Sequence, residues 1–294
     1  MTEPHFPAGT ASEEPIPAWV ANMKTRPRTG VGIAIALLRR AYRAATRLAV
    51  LAFWVAVAWS WWVADGTAAG AGRWITSIAA VFVVPVMCFT WVDPPATLCM
   101  LRRRRGRLRS RLRQHWARLE TIAPSMPLAI IVSEDPYFFR HIGFDPIAIL
   151  RAHRYNRGAA RQGRMLRGGS TISQQLAKNM FLPFTQSYVR KMVEAVFTAL
   201  IEGLWSKRRI LEIYLNVVEF GDDVYGVESA ARQFFQSSAA ALTAEQAALL
   251  AAALRRPQIY RVDAPPPFMR QLQGDILRRM AWCGEGTLSQ LEDR

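Results

Sequence analysis

The sequence has few of the residues that staple small secreted proteins or hold metals: its 294 residues include three cysteines and four histidines. Cys88, Cys99 and Cys283 form no CxxC pair and no even framework, so neither a disulfide scaffold nor a zinc site is indicated. Charged residues make up only 20% of the chain and hydrophobic residues 51%, which excludes a disordered or collagen-like chain. The length allows one or two domains with a large core.

Acidic residues are also scarce, with 22 Asp and Glu against 38 Lys and Arg. Residues 1–119 carry a net charge of +12, whereas residues 120–294 carry only +4. A basic surplus points to nucleic acid or to an anionic membrane surface. The same N-terminal part contains two uncharged apolar runs, at 48–64 and 75–92. The charge therefore favours phospholipid headgroups over nucleic acid as its partner.

Both apolar runs approach the roughly 20 residues that a membrane-spanning helix needs. The first ends in a tryptophan cluster typical of a membrane interface, Trp59, Trp61 and Trp62. Four arginines precede the pair, and nine lie between residues 102 and 118. A buried core helix is the alternative for either run. We expect the second run to be the anchor because it directly precedes the globular part.

This pattern divides the chain into five parts. They are a basic, cytoplasmic or disordered tail at 1–45, the two apolar segments at 46–93, a basic juxtamembrane linker at 94–126, a globular domain at 127–280 and a C-terminal tail at 281–294. Between residues 185 and 220 the apolar residues recur every three or four positions, as on an amphipathic helix. Ser206 stands where an N-cap belongs, and Thr243 with Gln246 has capping-box spacing. Few alternating runs occur, so the domain is predicted to be mostly α.

Three polar segments differ from an ordinary surface. In the first, Glu134 and Asp135 follow an apolar element and precede Phe138 and His141. An apolar surround raises the pKa of a carboxyl group and suits it to general acid or base chemistry. The alternative is an acidic pair at a helix N-terminus beside ordinary core aromatics.

The second segment runs from Gly168 to Asn179 and reads as a tight turn into a helix N-terminus, where free N–H groups attract an anion. Lys178, about two turns further on, could reach the same anion. The spacing is not that of a Walker loop. A well-capped helix with an amide-rich exposed face is the alternative. The arginines between 151 and 167 suggest a mobile basic loop beside this segment, either guiding a phosphate-bearing substrate or merely solvated.

In the third segment, Arg190 and Glu194 lie four residues apart on one helix face, with Lys191 beside them. Alone, this spacing indicates a surface ion pair.

Taken together and in this order, the segments resemble the peptidoglycan glycosyltransferase family, which class A penicillin-binding proteins share. The matching stretches are 134–145, 167–182, 190–216, 217–235 and 242–257. The resemblance implies a mostly α, lysozyme-like fold with a substrate groove and an apolar face that dips into the membrane. It points to the monofunctional biosynthetic transglycosylase, because the sequence contains no SxxK.

The resemblance also implies a reaction. Lipid II is polymerised into glycan strands, and undecaprenyl diphosphate is released with inversion at the anomeric carbon. Glu134 is then the general base, with Asp135, Phe138 and His141 shaping its pocket, and Glu194 is the second essential carboxylate. The residues implied to contact the diphosphate or sugar are Gly169, Ser170, Thr171, Gln174, Gln175, Lys178, Asn179, Arg190 and Lys191.

Two other functions stay open: a lysozyme-like glycan hydrolase and a catalytically silent membrane scaffold of cell-wall assembly. One departure is Gln186, where the family commonly has arginine; we expect Gln186→Arg to keep activity. No cofactor is evident, although a diphosphate substrate is compatible with Mg²⁺ or Mn²⁺. The expected location is the bacterial inner membrane with the domain on the periplasmic side, although the positive-inside rule would place both ends of the pair in the cytoplasm. The expected partners are lipid II, the growing strand, membrane lipids and other cell-wall synthesis or division proteins, but no nucleic acid.

Overall fold

The computed structural model describes residues 30–62, 77, 80–101, 113–159, 168–183 and 187–291. The N-terminal helix α1 covers Gly30–Trp62. The labelled elements after it are β1 Arg113–Gln114, α2 Ser125–Glu134, α3 Pro146–Ala159, α4 Ile172–Phe181, α5 Tyr188–Leu204, α6 Lys207–Val217, β2 Glu219–Gly221, β3 Val224–Tyr225, α7 Val227–Phe235, α8 Ala244–Ala253 and α9 Pro267–Cys283. Short 3-10 turns lie at Leu119–Thr121, Ala239–Ala241 and Glu285–Leu291. The prediction of a mostly α fold is confirmed.

The described strands are two or three residues long and form one sheet in the order β1-β3-β2. Strand β3 runs parallel to β1, pairing Val224 with Arg113, and antiparallel to β2, pairing Tyr225 with Glu219. The sheet joins the start of the domain to the segment after α6.

Helix α2 is the centre of the core. Every residue from Met126 to Val132 is buried, so this helix is apolar all round, as a fully enclosed helix must be. It packs against α8 and α9. Its apolar stretch ends at Ser133, and the next two residues are the carboxylates Glu134 and Asp135.

The predicted helix starts are confirmed. Ser206 Oγ accepts a hydrogen bond from the Arg209 N–H at the start of α6. Thr243 and Gln246 exchange both bonds of a capping box at the start of α8. Each satisfies N–H groups that the first helical turn leaves without an internal partner.

Several predicted boundaries are wrong. Residues 113–126 are not a linker, because β1 pairs with β3 and Leu119 and Ile122 lie in the core. The C-terminal segment is not a free tail as far as Leu291, because Cys283 and Leu291 are buried.

The proposed mobile basic loop is wrong in its first half. Arg151, Arg154 and Arg157 lie on helix α3, whose described end is residue 159. Arg161, Arg164 and Arg167 lie outside the described residues, as does Gln186.

In the described part of the chain, one stretch is long and apolar enough to cross a membrane by length and composition, Ile33–Ala58 of helix α1. The helix starts at Gly30, so residues 30–45 of the predicted tail are helical and that part of the prediction is wrong. Residues 1–29 lie outside the described residues.

The second apolar run lies partly outside the described residues. Its residues 80–88 are helical, and Val86 is fully buried against the domain, where its carbonyl accepts a 2.7 Å hydrogen bond from Trp205 Nε1. The membrane role of this run stays a prediction.

Candidate active site

Asp135 is locked between a histidine and a helix N-terminus. Its carboxylate contacts His141 Nε2 at 2.9 Å and accepts a hydrogen bond from the Ile172 N–H at 3.0 Å. His141 Nδ1 accepts from the Gly143 N–H at 3.1 Å, so a neutral His141 carries its proton on Nε2, facing Asp135. Burial alone would raise the pKa of Asp135, but His141, Lys207 and the Ile172 N–H outweigh burial and lower it. Asp135 is therefore an ionised, structural carboxylate.

Glu134, the last residue of α2, is held more loosely. Gln175 Nε2 donates to its Oε2 at 2.9 Å, and Tyr214 OH donates to Gln175 Oε1 at 2.9 Å. Burial raises the pKa of Glu134, and Gln175, Arg255 and Lys178 offset this only in part. The C-terminal end of a helix also disfavours negative charge. A carboxyl group with a raised pKa is suited to accepting a proton near neutral pH.

The turn before α4 is built by its own side chains. Thr171 and Gln174 exchange the two hydrogen bonds of a capping box. The Thr171 hydroxyl also donates to the Gly143 carbonyl at 2.7 Å. Gly169 lies so close to α3 that a Cβ atom there would be 3.0 Å from the Ile149 Cα. The glycine and threonine therefore fix α4 against the Asp135 turn.

Helix α4 carries the other predicted substrate contacts away from this turn. Lys178 is exposed and Asn179 half-exposed on α4, while Ser170 is exposed just before the helix. Desolvation by the neighbouring residues lowers the pKa of Lys178, while the charge of Glu194 acts in the opposite direction. Lys178 also acts on the charge of Glu134. It therefore lies within electrostatic reach of both predicted essential carboxylates.

Glu194 is buried on α5 with two cations at its oxygens. Lys191 Nζ contacts Oε1, and Arg190 Nη1 lies 3.5 Å from Oε2. The exposed fraction of the side chain is 3% for Glu194, 19% for Arg190 and 52% for Lys191. This is not a simple surface ion pair, because the shared carboxylate is buried and holds both cations.

A buried network that the sequence reasoning missed lies beneath the Asp135 turn. Lys207 Nζ is 2.6 Å from Glu202 Oε1, with both side chains fully buried, and it sits 4.4 Å from the centre of the Phe138 ring. Ser173 Oγ donates to the same Glu202 oxygen at 2.5 Å. Phe138, a predicted pocket residue, thus makes a cation–π contact with Lys207 through one face of its ring.

Tyr214 and Arg255 were also missed, although both lie in stretches that carried the family resemblance. Tyr214 is fully buried and orients Gln175, while the exposed Arg255 acts on the charge of Glu134. The apolar spacing of α6 identified Tyr214 as core, and nothing local distinguishes its hydroxyl.

The described residues contain no group of three His, Cys, Asp or Glu side chains that could hold a metal ion. The Asp135 carboxylate is already bound by His141 and the Ile172 N–H, and the Glu194 carboxylate by Lys191 and Arg190. These residues therefore do not fit a Mg²⁺ or Mn²⁺ site of their own.

The site combines one carboxyl group of raised pKa with a separate cluster of cations. Such an arrangement can remove a proton from a hydroxyl group and stabilise negative charge on a leaving group. An apolar rim flanks it, because Ile147 and Leu150 on α3 and Val189 and Met192 on α5 are exposed.

Comparisons with known proteins agree with this chemistry. The sequence model of a family described as Transglycosylase matches residues 102–281. The biosynthetic peptidoglycan transglycosylase of Pasteurella multocida (strain Pm70) is 43% identical over 217 residues, covering 72% of this chain and 87% of the relative. The protein of the same name from Haemophilus influenzae (strain ATCC 51907 / DSM 11121 / KW20 / Rd) is 44% identical over 217 residues, with the same coverage. That from Shewanella oneidensis (strain ATCC 700550 / JCM 31522 / CIP 106686 / LMG 19005 / NCIMB 14063 / MR-1) is 46% identical over 182 residues, covering 62% of this chain and 76% of the relative. The chain therefore belongs to the transglycosylase family.

Proposed function

We propose that this chain is a peptidoglycan glycosyltransferase that polymerises lipid II, with Glu134 as the base that activates the acceptor. The observation that carries the assignment is the contrast between two adjacent carboxyl groups. Asp135 is fixed and kept ionised by His141, whereas Glu134 has a raised pKa and accepts a hydrogen bond from the neutral amide of Gln175. Of the two, Glu134 is the one able to exchange a proton during a reaction.

In the proposed step, the sugar 4-hydroxyl of an incoming lipid II attacks the anomeric carbon of the growing strand. Its proton passes to the Glu134 carboxylate as the new glycosidic bond forms. The bond between the anomeric carbon and the diphosphate oxygen breaks, and undecaprenyl diphosphate leaves with both electrons of that bond. A single displacement inverts the donor carbon from α to β. The base contributes about 100- to 10 000-fold to such a reaction.

The leaving diphosphate requires positive charge that is already in place. Lys178, Arg190 and Lys191 supply it from α4 and the start of α5, and the buried Glu194 holds the last two in position. Preplaced charges of this kind stabilise a developing anion without reorganisation cost. Glu194 is then a positioning carboxylate on the donor side rather than a second base.

The apolar rim supports action at a membrane surface. Exposed Ile147, Leu150, Val189 and Met192 flank a site that must receive the lipid tails of both substrates. With the apolar stretch of α1, this rim supports an enzyme of the bacterial inner membrane. We propose that its domain faces the periplasm, because the proposed substrate, lipid II, is polymerised on that side. The basic residues at 102–118 are proposed to contact phospholipid, and other cell-wall synthesis or division proteins remain proposed partners.

The test is incubation of the purified full-length chain with lipid II in detergent micelles. We expect glycan polymer from the native protein and a fall of at least about 100-fold in kcat for Glu134→Gln. Glu245→Gln, the same substitution at an exposed position of α8, is the control and should leave the rate unchanged. Release of fragments from preformed glycan would identify a hydrolase, and neither product would identify a scaffold. A fully active Glu134→Gln variant would overturn the assigned base.

A further inference from the structure

Helix α1 is docked on the domain along one face. Tyr42 OH donates to the Ala199 carbonyl of α5 at 2.7 Å, and one turn later Thr46 packs against Gly203. A Cβ atom at Gly203 would lie 2.5 Å from the Thr46 hydroxyl oxygen, so the Thr46 side chain occupies the space that any side chain at position 203 would need. This face of α1 therefore belongs to the packing of the domain.

The same face carries a buried arginine that reaches the active-site turn. The exposed fraction of Arg39 is 2%, whereas its neighbour Arg40 is exposed. Arg39 Nη2 donates to the carbonyl of Phe139 at 2.7 Å and to that of His141 at 2.8 Å. These carbonyls lie in the turn that brings His141 back to Asp135. A charged donor shared by two buried carbonyls fixes the path of that turn.

We propose that Arg39 is a positioning residue for the turn from Asp135 to His141, and that residues 39–46 lie on the same side of the membrane as the catalytic domain. The first part rests on the proposed function, whereas the second rests on contacts alone. Helix α1 lies outside the stretch that the family model matches, 102–281.

The sidedness follows from distance. The hydrocarbon core of a bilayer is about 30 Å thick, and side chains cannot form hydrogen bonds across it. Because Arg39 and Tyr42 bond to residues of the domain, the chain between Thr46 and β1 crosses the membrane twice or not at all. A domain in the periplasm then places the start of α1 in the periplasm as well. The positive-inside rule would instead place both ends of the apolar pair, and so the domain, in the cytoplasm. On our proposal the N-terminus and the domain both lie in the periplasm, and the arginines do not follow that rule.

The docking is tested in native membranes with cysteine pairs, in a chain whose three native cysteines are replaced by alanine. Tyr42→Cys with Ala199→Cys is expected to be joined by a short bismaleimide, read as a linked peptide by mass spectrometry. Ala44→Cys with Ala199→Cys is the control, because Ala44 lies on the opposite, exposed face of α1. Equal linkage of both pairs, or none, would overturn the docking.

Sidedness is measured independently with an impermeant maleimide on spheroplasts. Ser12→Cys, near the N-terminus, should be labelled as readily as Ser238→Cys, an exposed position of the domain. Labelling of Ser12→Cys only after permeabilisation, with Ser238→Cys labelled before it, would refute the shared side. Neither this test nor the cross-linking test needs activity, so both remain decisive if the proposed function fails.

The positioning role is tested by kinetics of the full-length enzyme with lipid II. Arg39→Ala should lower kcat at least tenfold with KM changed less than twofold, and added guanidinium ion should restore part of the rate. Arg39→Lys should lie between the native and alanine enzymes. Arg40→Ala removes the same charge from the exposed face and should match the native enzyme. Equal rates for Arg39→Ala and Arg40→Ala, or a loss that appears only in KM, would overturn the role.

Discussion

Glu134 and Asp135 are neighbours in the chain, yet their pKa values are shifted in opposite directions. Burial is the largest influence on both. For Asp135, the effect of burial is outweighed by His141, Lys207 and the first N–H of α4, which together lower the pKa. Glu134 accepts its hydrogen bond from a neutral donor, Gln175, and burial prevails. When the surroundings push the pKa values of two adjacent carboxyl groups apart, the two groups can take different roles. Here Asp135 is structural and Glu134 is suited to accept a proton.

The hydrogen bond from Gln175 sets the pH at which the base becomes active. Glu134 must be ionised to accept a proton, so kcat falls as the pH drops through its raised pKa. Gln175 lowers that pKa, and Gln175→Leu should therefore move the acidic limb of the kcat profile to higher pH. The profile is measured with lipid II, using Gln271→Leu on the exposed surface of α9 as the control. An unmoved limb would mean that another group controls it.

The close approach of Gly169 to α3 predicts a contrast between two adjacent glycines. A Cβ atom at Gly169 meets the α3 backbone at 3.0 Å, whereas one at Gly168 meets nothing within 4 Å. Gly169→Ala should destabilise the domain by about 1–3 kcal/mol, because backbone must shift to make room, and it should lower kcat/KM. Gly168→Ala should change neither. Urea unfolding and lipid II turnover measure both variants, and similar behaviour of the pair would contradict the packing.

Two threonine caps predict different costs in stability and in activity. Thr171 and Thr243 each close a capping box, so replacing Thr243 with alanine should cost about 1 kcal/mol, and replacing Thr171 should cost more because the Gly143 carbonyl also loses its donor. Thr171 also holds the Gly143 carbonyl beside His141, whereas Thr243 lies far along the chain at the exposed start of α8. Only Thr171→Ala should also slow the reaction. An equal loss of activity in both variants would show that the cap acts on the whole fold.

The residues that could be predicted from the sequence are those whose partners lie close in the chain. Capping boxes and the Arg190–Glu194 pair are three- and four-residue patterns, which helix geometry makes directly readable. Arg39 meets His141 about a hundred residues away, and Lys207 pairs with a carboxylate across the bend between α5 and α6. Such contacts depend on how helices pack, and the local sequence around Arg39 looks like any basic membrane flank.

The Lys207–Glu202 pair predicts that the free energy of unfolding rises with pH in the alkaline range, between about pH 8 and 10.5. Burial lowers the pKa of Lys207 from 10.5 to about 8. Between these values the unfolded chain binds the proton that the folded chain has lost, so the free energy of unfolding rises with pH, by at most about 1.4 kcal/mol per pH unit.

Lys207→Met removes this dependence, and the difference in unfolding free energy between the native protein and the variant should therefore grow from pH 8 to 10. At pH 7 the variant should already be less stable by about 3–5 kcal/mol, because Glu202 is left buried without its cation. Arg208→Met is the control. Arg208 follows Lys207 in the chain but pairs with Glu120 at the surface, and such a pair is worth at most about 1 kcal/mol. Urea unfolding at each pH measures all three proteins. A constant difference between native and Lys207→Met would show that Lys207 keeps its proton throughout.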